Sequence, residues 1–396
     1  MKVAFLTAGG LAPCLSASIA YLINEYSKID KSVEFFGYKN GYKGLLLGQK
    51  ISIPNTVSEK TDLLASYGGS PIGNSRVKLT NVEDCIKNGY INKNQVPLHI
   101  ASEQLKNDNI DILHTIGGDD TNTSAGDLEK YLKDNNYDLT VVGLPKTVDN
   151  DVYPIEQTLG AITAAEQGAI FFNNIVNENT TSSRQLIIHE VMGRNCGWLT
   201  AATAYQYRQL LKGREFIDEI LIDKNKWDIH AIYLPEKEID FNQECMRLNK
   251  IMDSFDCVNI FLSEGAGLDT IINEMKLNGE EVKYDAFGHV RLDEINPGKW
   301  FAKNLKNNLN ADKVLIQKSG YFARSAAPNS EDKKLIEKTA KIAVKSALNN
   351  VSGVVGIDEE KDNELCCIGF NRIKGGKPFN INTNWFLEIL EDIGQK

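Results

Sequence analysis

Short apolar runs rich in β-branched residues alternate along the chain with longer stretches whose apolar positions recur every three to four residues. The runs fall at 3–7, 110–116, 140–144, 186–189, 229–234, 258–262 and 314–317, and their length and composition predict strands. Between them, 16–26, 122–132, 158–177 and 333–348 carry the spacing of amphipathic helices. Strands separated by helix-length patterns predict βαβ units, hence an α/β fold of mainly parallel sheets flanked by helices. In such a fold the functional loops leave the carboxyl ends of the strands. The polar stretch 212–228 and the region 273–297, with Gly279, Gly288 and Pro297, read as surface excursions. Beyond 358 the pattern predicts a hairpin around Gly375-Gly376 and a short helix near 385–390.

A length of 396 residues exceeds what one compact core usually holds, which predicts two lobes. No run of eighteen apolar residues occurs, so no membrane span is expected. The amino terminus lacks the basic start and long apolar core of a signal peptide. The seven cysteines form no CxxC pair, and together these features predict reduced thiols in a cytoplasmic protein. A net charge of −9 without any basic block argues against nucleic acid as partner. It also means that an enzyme of phosphorylated substrates must gather its Lys and Arg residues locally.

Several strand ends carry candidate chemistry. Thr7-Ala8-Gly9-Gly10-Leu11-Ala12-Pro13 follows the first strand; it suits either an ordinary βα turn or a backbone cradle for phosphate at a helix N-terminus. It is neither GxGxxG nor a Walker A loop. Ile116-Gly117-Gly118-Asp119-Asp120-Thr121 ends another strand, and its acids suit helix capping and Mg²⁺ binding equally. Gly143-Leu144-Pro145-Lys146-Thr147-Val148-Asp149-Asn150-Asp151 ends a third, offering a cation, a hydroxyl and two bases where a solvated turn would also serve. Neighbouring parallel strands would bring Asp119 and Asp149 to one mouth. Glu190-Val191-Met192-Gly193-Arg194, Phe261-Leu262-Ser263-Glu264-Gly265 and Ser319-Gly320-Tyr321-Phe322-Ala323-Arg324 follow later apolar runs. The histidines show no metal spacing, and His114, His189 and His230 lie within apolar strands, as core histidines do. His289 shows none either.

The ordered set of these motifs, with Gly68-Gly69-Ser70 and Ser75-Arg76 between the first two, resembles the phosphofructokinase family from the first strand to Arg324. The resemblance implies two Rossmann-like lobes: 1–157 with about 325–358 for the phosphoryl donor, and 158–324 for fructose 6-phosphate. Residues 359–396 form a C-terminal extension that it assigns to neither. Two positions resemble the pyrophosphate-using branch, since Asp120 and Lys146 stand where ATP-using members resemble Gly-Gly-Asp-Gly and Pro-Gly-Thr. A carboxylate at 120 fills the space of a nucleotide α-phosphate and repels it, while Lys146 offers a point charge to a smaller donor.

What the resemblance implies is reversible transfer between pyrophosphate and the 1-hydroxyl of fructose 6-phosphate, in glycolysis or gluconeogenesis. The alternatives are an ATP-dependent enzyme and a non-catalytic phosphosugar-binding subunit. Asp149 would be the general base, Asp119 the Mg²⁺ ligand, and Lys146 and Asp120 the catalytic and donor-selecting pair. Gly10, Thr147, Val148 and Asp151 would line the substrates. Arg194 with Tyr321, Phe322, Ala323 and Arg324 would hold the 6-phosphate, and Met192, Gly193 and Glu264 the sugar. Arg184 resembles an arginine that reaches a neighbouring subunit, one residue further from Arg194 than usual. A homodimer or homotetramer without nucleotide allostery is implied. Leu11 and Cys14 depart from the family pattern, as does Tyr321, where ATP-using members resemble His-x-x-Arg.

Overall fold

The computed structural model describes residues 1–283 and 295–395. Gly288 and His289, within the 273–297 excursion, lie outside the described residues. Eleven strands are described: β1 Lys2–Thr7, β2 Glu34–Tyr38, β3 Lys50–Ile53, β4 Ile112–Gly117, β5 Thr140–Pro145, β6 Gln185–Val191, β7 Ala231–Tyr233, β8 Cys257–Ser263, β9 Lys313–Lys318, β10 Gly353–Asp358 and β11 Glu364–Ile368. The chain divides into two compact units, 1–163 with 324–377, and 164–323 with 378 onward.

The first unit holds a seven-stranded sheet in the order β11-β10-β5-β4-β1-β2-β3. Its central strands are parallel, and β3 and β11 close the edges antiparallel. Residues of β4 and β5 are buried throughout, which is why both read as unbroken apolar runs rather than alternating ones. Helix Leu15–Ile29 turns Leu15, Ile19, Leu22, Ile23 and Tyr26 inward. Helix Ser330–Leu348 does the same with Ile336, Ala340, Ala343, Val344 and Ala347, and its Asn329 N-cap accepts from Asp332 N at 2.9 Å.

The second unit holds four parallel strands in the order β7-β8-β6-β9. Helices Trp198–Lys212 and Phe241–Phe255 flank it. Phe172, His189, Tyr207 and Phe261 form an aromatic cluster in its core.

Four expectations change. Residues 158–163 stay with the first unit, because buried Asp332 accepts from Gly160 N (2.9 Å), Thr163 N (2.7 Å) and Thr163 Oγ1 (2.5 Å). The terminal extension is divided, 359–377 joining the first unit and the rest the second. The hairpin there is β10–β11, turned by Asp362 and Asn363 at positive φ, whereas Gly375-Gly376 is a loop. Helix Leu268–Leu277 occupies the start of the 273–297 region. The 212–228 segment anchors itself through buried Trp227 while Ile217, Ile220 and Leu221 remain exposed.

The core histidines His114, His189 and His230 bond within the protein, although His189 Nδ1 is buried without a partner. His114 meets Tyr26 OH (2.8 Å) and Val142 O (3.2 Å), His189 meets Ser319 Oγ (2.8 Å), and His230 Nδ1 accepts from Asn259 N (2.9 Å). Burial pushes His114 and His189 down to about 3 and His230 to about 4, so all three are neutral at pH 7.

Candidate active site

In the first unit the register sets Thr7 beside Ile116 and Gly117 beside Pro145. The loops after β1, β4 and β5 therefore start level, at the same edge. Ala8 N donates to Ile116 O (3.0 Å) and Lys146 N to Gly117 O (2.8 Å), which stitches three of the candidate motifs together.

Lys146 is the centre of this arrangement. Its side chain is 4% exposed, and its Nζ donates to Gly10 O at 2.6 Å. Gly9 adopts φ +87°, a conformation that favours glycine, and a Cβ there would stand 2.9 Å from Lys146 Nζ. Asn74 Nδ2 donates to Gly9 O at 2.5 Å and Gly9 N to Ser75 O at 2.8 Å. Burial lowers the Lys146 pKa, against upward pulls from Cys14, Asp149 and Asp151, while Arg76 adds to the lowering. Cys14 is buried behind this turn, and burial pushes its thiol far above the thiolate range.

Asp119 and Asp120 open helix Asp119–Asp134, and neither caps it; Asn122 Nδ2 instead donates to Gly117 O (3.1 Å) and Gly118 O (2.9 Å). Asp120 forms an ion pair with Lys78 at 2.7 Å. Asp151 lies close enough to Asp119 for the two carboxylates to repel: burial raises the Asp151 pKa first, Asp119 second, and a Thr147 hydrogen bond opposes both. The Thr147 hydroxyl also accepts from Asp149 N at 3.1 Å, so it serves the loop itself. Val148 is buried, which leaves its side chain in packing rather than at the surface of the site.

Asn150, between the two acids, escapes a sequence reading of chemistry. It adopts φ +54°, donates through Nδ2 to Glu156 O (3.0 Å) and accepts through Oδ1 from Thr158 N (2.7 Å) and Thr158 Oγ1 (3.1 Å). Thr158 Oγ1 also contacts Thr147 O at 2.8 Å. The asparagine closes the loop 147–158 on itself. Arg76 and Lys78 are also missed as site residues. The Ser75-Arg76 motif was the available signal for one; nothing local marks Lys78.

In the second unit Met192-Gly193-Arg194 leaves the carboxyl end of β6. Gly193 has φ +134°, its carbonyl accepts from Ser263 Oγ at 2.5 Å, and Glu264 N donates to Val191 O at 3.0 Å. A Cβ on Gly265 would overlap the Arg194 carbonyl, so glycine lets the two loops touch. Burial raises the Glu264 pKa, a Gly193 N–H hydrogen bond lowers it, Glu190 adds to the rise, and Arg194 and Lys318 oppose it. Lys318 pairs with Glu190 at 2.5 Å. Met192 packs near Gly320, where a Cβ would come 3.0 Å from its Cγ. Tyr321 and Phe322 are exposed and Ala323 is buried; Arg324, the next residue, belongs to the first unit.

Arg184 is not brought to this loop. It precedes β6, and seven residues of strand put about 20 Å between the strand's two ends. Its guanidinium is held by Asp253 Oδ1 (2.8 Å), Asn310 O (2.9 Å) and Leu309 O (2.6 Å). These bonds pin the strand's amino end.

Residues 2–347 match the model of the phosphofructokinase family. The chain belongs to the phosphofructokinase family. It is 57% identical to a pyrophosphate–fructose 6-phosphate 1-phosphotransferase of Methylotuvimicrobium alcaliphilum, over 100% of this chain and 96% of the relative. It is 52% identical to the protein of that name from Propionibacterium freudenreichii, over 100% and 98% of the two chains. The crystal structure of a pyrophosphate-dependent phosphofructokinase from Marinobacter aquaeolei shares the fold, with a TM-score of 0.71 at 20% identity, over 99% of this chain and 91% of that one. Within the phosphofructokinase family the Gly-Gly turn, Gly-Gly-Asp and Pro-x-Thr-x-Asp-Asn-Asp motifs are those that the first unit's register gathers. Among the described residues no helix is long and apolar enough to cross a membrane.

Proposed function

We propose that this chain catalyses reversible phosphoryl transfer between pyrophosphate and the 1-hydroxyl of fructose 6-phosphate. The observation that carries this reading is the buried Lys146 ammonium seated on the Gly9-Gly10 turn, with Asp119 and Asp120 opening the helix after the next strand. A cation on a backbone turn suits two linked phosphates, and the Asp120 carboxylate opposes a further phosphate of a nucleotide.

Asp149 takes the proton of the attacking hydroxyl as general base. Lys146 stabilises charge on the transferring group, and the Gly10 turn supplies backbone N–H groups to the donor. Thr147 orients Asp149 and Asp151 through its hydroxyl. Asp119, with Asp151 repelled beside it, suits a divalent cation. No cluster of three or more His, Cys, Asp or Glu ligands exists among the described residues, and Mg²⁺ typically uses one or two carboxylates with phosphate oxygens and water. Mg²⁺ held there would neutralise charge on the donor. Arg194 donates in pairs to the sugar's 6-phosphate, a role shared by Tyr321 and Arg324, while Met192, Gly193 and Glu264 meet the sugar.

The exchange replaces one phosphoanhydride with one phosphate ester, so both directions should run. Purified protein should make fructose 1,6-bisphosphate from pyrophosphate, and release pyrophosphate from the bisphosphate and inorganic phosphate. An undetectable rate in either direction would sink the reading. The enzyme is assigned to the cytoplasm, in keeping with seven free cysteines, and to a homodimer or homotetramer. Light scattering giving only a 44.1 kDa particle would reject that assembly.

A further inference from the structure

The loop Lys374-Gly375-Gly376-Lys377 lies beyond residue 347, where the match to the family model stops. It nevertheless sits on the carboxylates described above. Tyr153 N donates to Lys374 O (2.8 Å) and Lys374 N to Tyr153 O (3.0 Å). Lys377 N donates to Asp151 O at 2.9 Å, and its Nζ reaches Ile155 O (2.6 Å) and Glu359 Oε1 (2.5 Å). Four of these bonds fasten the terminal loop along the run that follows Asp149, and the fifth ties it to Glu359.

Gly375 lies against Asp119. A Cβ there would overlap Asp119 Oδ2 and come 2.5 and 2.7 Å from its Cγ and Cβ. Because the clash involves the root of a short side chain as well as its tip, rotating the carboxylate does not relieve it. Asp119 is itself fixed in the first turn of its helix, so either it or the loop would have to shift. Gly376 differs: a Cβ there would meet nothing within 4 Å, although its φ is +76°.

We propose that the Lys374–377 loop is a wall of the phosphoryl-donor site, where the bare backbone of Gly375 sets the direction of the Asp119 carboxylate and bounds the donor. This rests on the function proposed above. Gly375 acts here as a positioning residue, and glycine is needed because the backbone must approach a charged group closely.

The test is binding of methylene diphosphonate, a non-hydrolysable pyrophosphate analogue, measured by calorimetry with Mg²⁺ on the full chain. Gly375→Ala should weaken it about tenfold or more, since misplacing a positioning group by about 1 Å has effects of that size. The KM for fructose 6-phosphate should change less than about twofold, which a general loss of structure would not allow. Gly376→Ala carries backbone strain without the clash and should weaken binding less. In an Asp119→Gly background, which removes the clashing side chain, adding Gly375→Ala should cost no further stability in urea unfolding, whereas in the wild-type background it should; this stability cycle reads the clash without requiring donor binding. Wild-type affinity in Gly375→Ala, or equal losses of stability in both backgrounds, overturns the inference. Failure of the wild-type chain to bind the analogue or turn over pyrophosphate instead overturns the function on which it rests.

Discussion

Replacing Lys146 by Met tests whether the buried ammonium is there for chemistry or for stability. The exchange keeps an unbranched apolar side chain and removes the charge that donates to Gly10 O at 2.6 Å. Losing one preorganised donor to transition-state charge costs about 10²–10³ in kcat, or roughly 2.7–4 kcal/mol. The folded state should respond differently. A hydrogen bond to a charged group contributes about 1.5–3 kcal/mol, but burial already disfavours this charge, as the lowered pKa of Lys146 shows. The two effects offset, and unfolding free energy should change by less than about 2 kcal/mol. Between the lowered folded pKa and the ordinary value of 10.5, the unfolded chain binds more protons, so the linked stability rises with pH in that window. That rise should vanish in Lys146→Met, and so should the alkaline fall of kcat/KM that marks loss of the ammonium. Steady-state kinetics from pH 6 to 10 and urea unfolding at the same pH values measure both. A variant with wild-type kcat, or one that loses activity only in proportion to its stability, would refute the reasoning.

Asp120→Gly should raise kcat/KM for ATP relative to pyrophosphate by about tenfold or more, because a like charge set against a ligand anion costs several kcal/mol. Loss of its exposed ion pair with Lys78 should cost only about 0–1 kcal/mol in urea unfolding. Asn150→Gly tolerates the positive φ but loses the carboxamide bonds to Glu156 and Thr158; kcat should fall about tenfold or more as the acids on either side lose their alignment, and an unchanged kcat would show that the loop holds without them. Asp151 has its folded pKa raised by burial and by Asp119, so its contribution to stability is full below the unfolded carboxyl pKa and is lost as pH rises through the folded value. The melting temperature of Asp151→Asn, measured without added metal, should therefore gain on the wild type as pH rises across that window, and a constant difference would contradict the shift.

The central strands were legible because burial on both faces leaves continuous apolar runs, as in Ile112–Gly117 and Thr140–Pro145. The two outer strands β2 and β3 of the first sheet were not. Glu34–Tyr38 and Lys50–Ile53 are short and partly exposed, and their pairing is a long-range choice that no local pattern records. Helices Pro97–Asp108 and Trp198–Lys212 were hidden for a related reason, since their burial is decided by tertiary packing. Within the site, strand-end loops announced Gly10, Asp119 and Lys146 through glycine and charge. Lys78 became visible only through its pairing with Asp120, and Gly375 only through a contact across 256 residues of sequence, from 119 to 375.

The most direct measurement is the ratio of kcat/KM for pyrophosphate to that for ATP, determined side by side on the purified chain with fructose 6-phosphate and Mg²⁺. The arrangement of Lys146 and Asp120 leads to a ratio far above one, with rapid turnover on pyrophosphate and little on ATP. Saturable turnover with ATP at ordinary concentrations, matching or exceeding that with pyrophosphate, would contradict it.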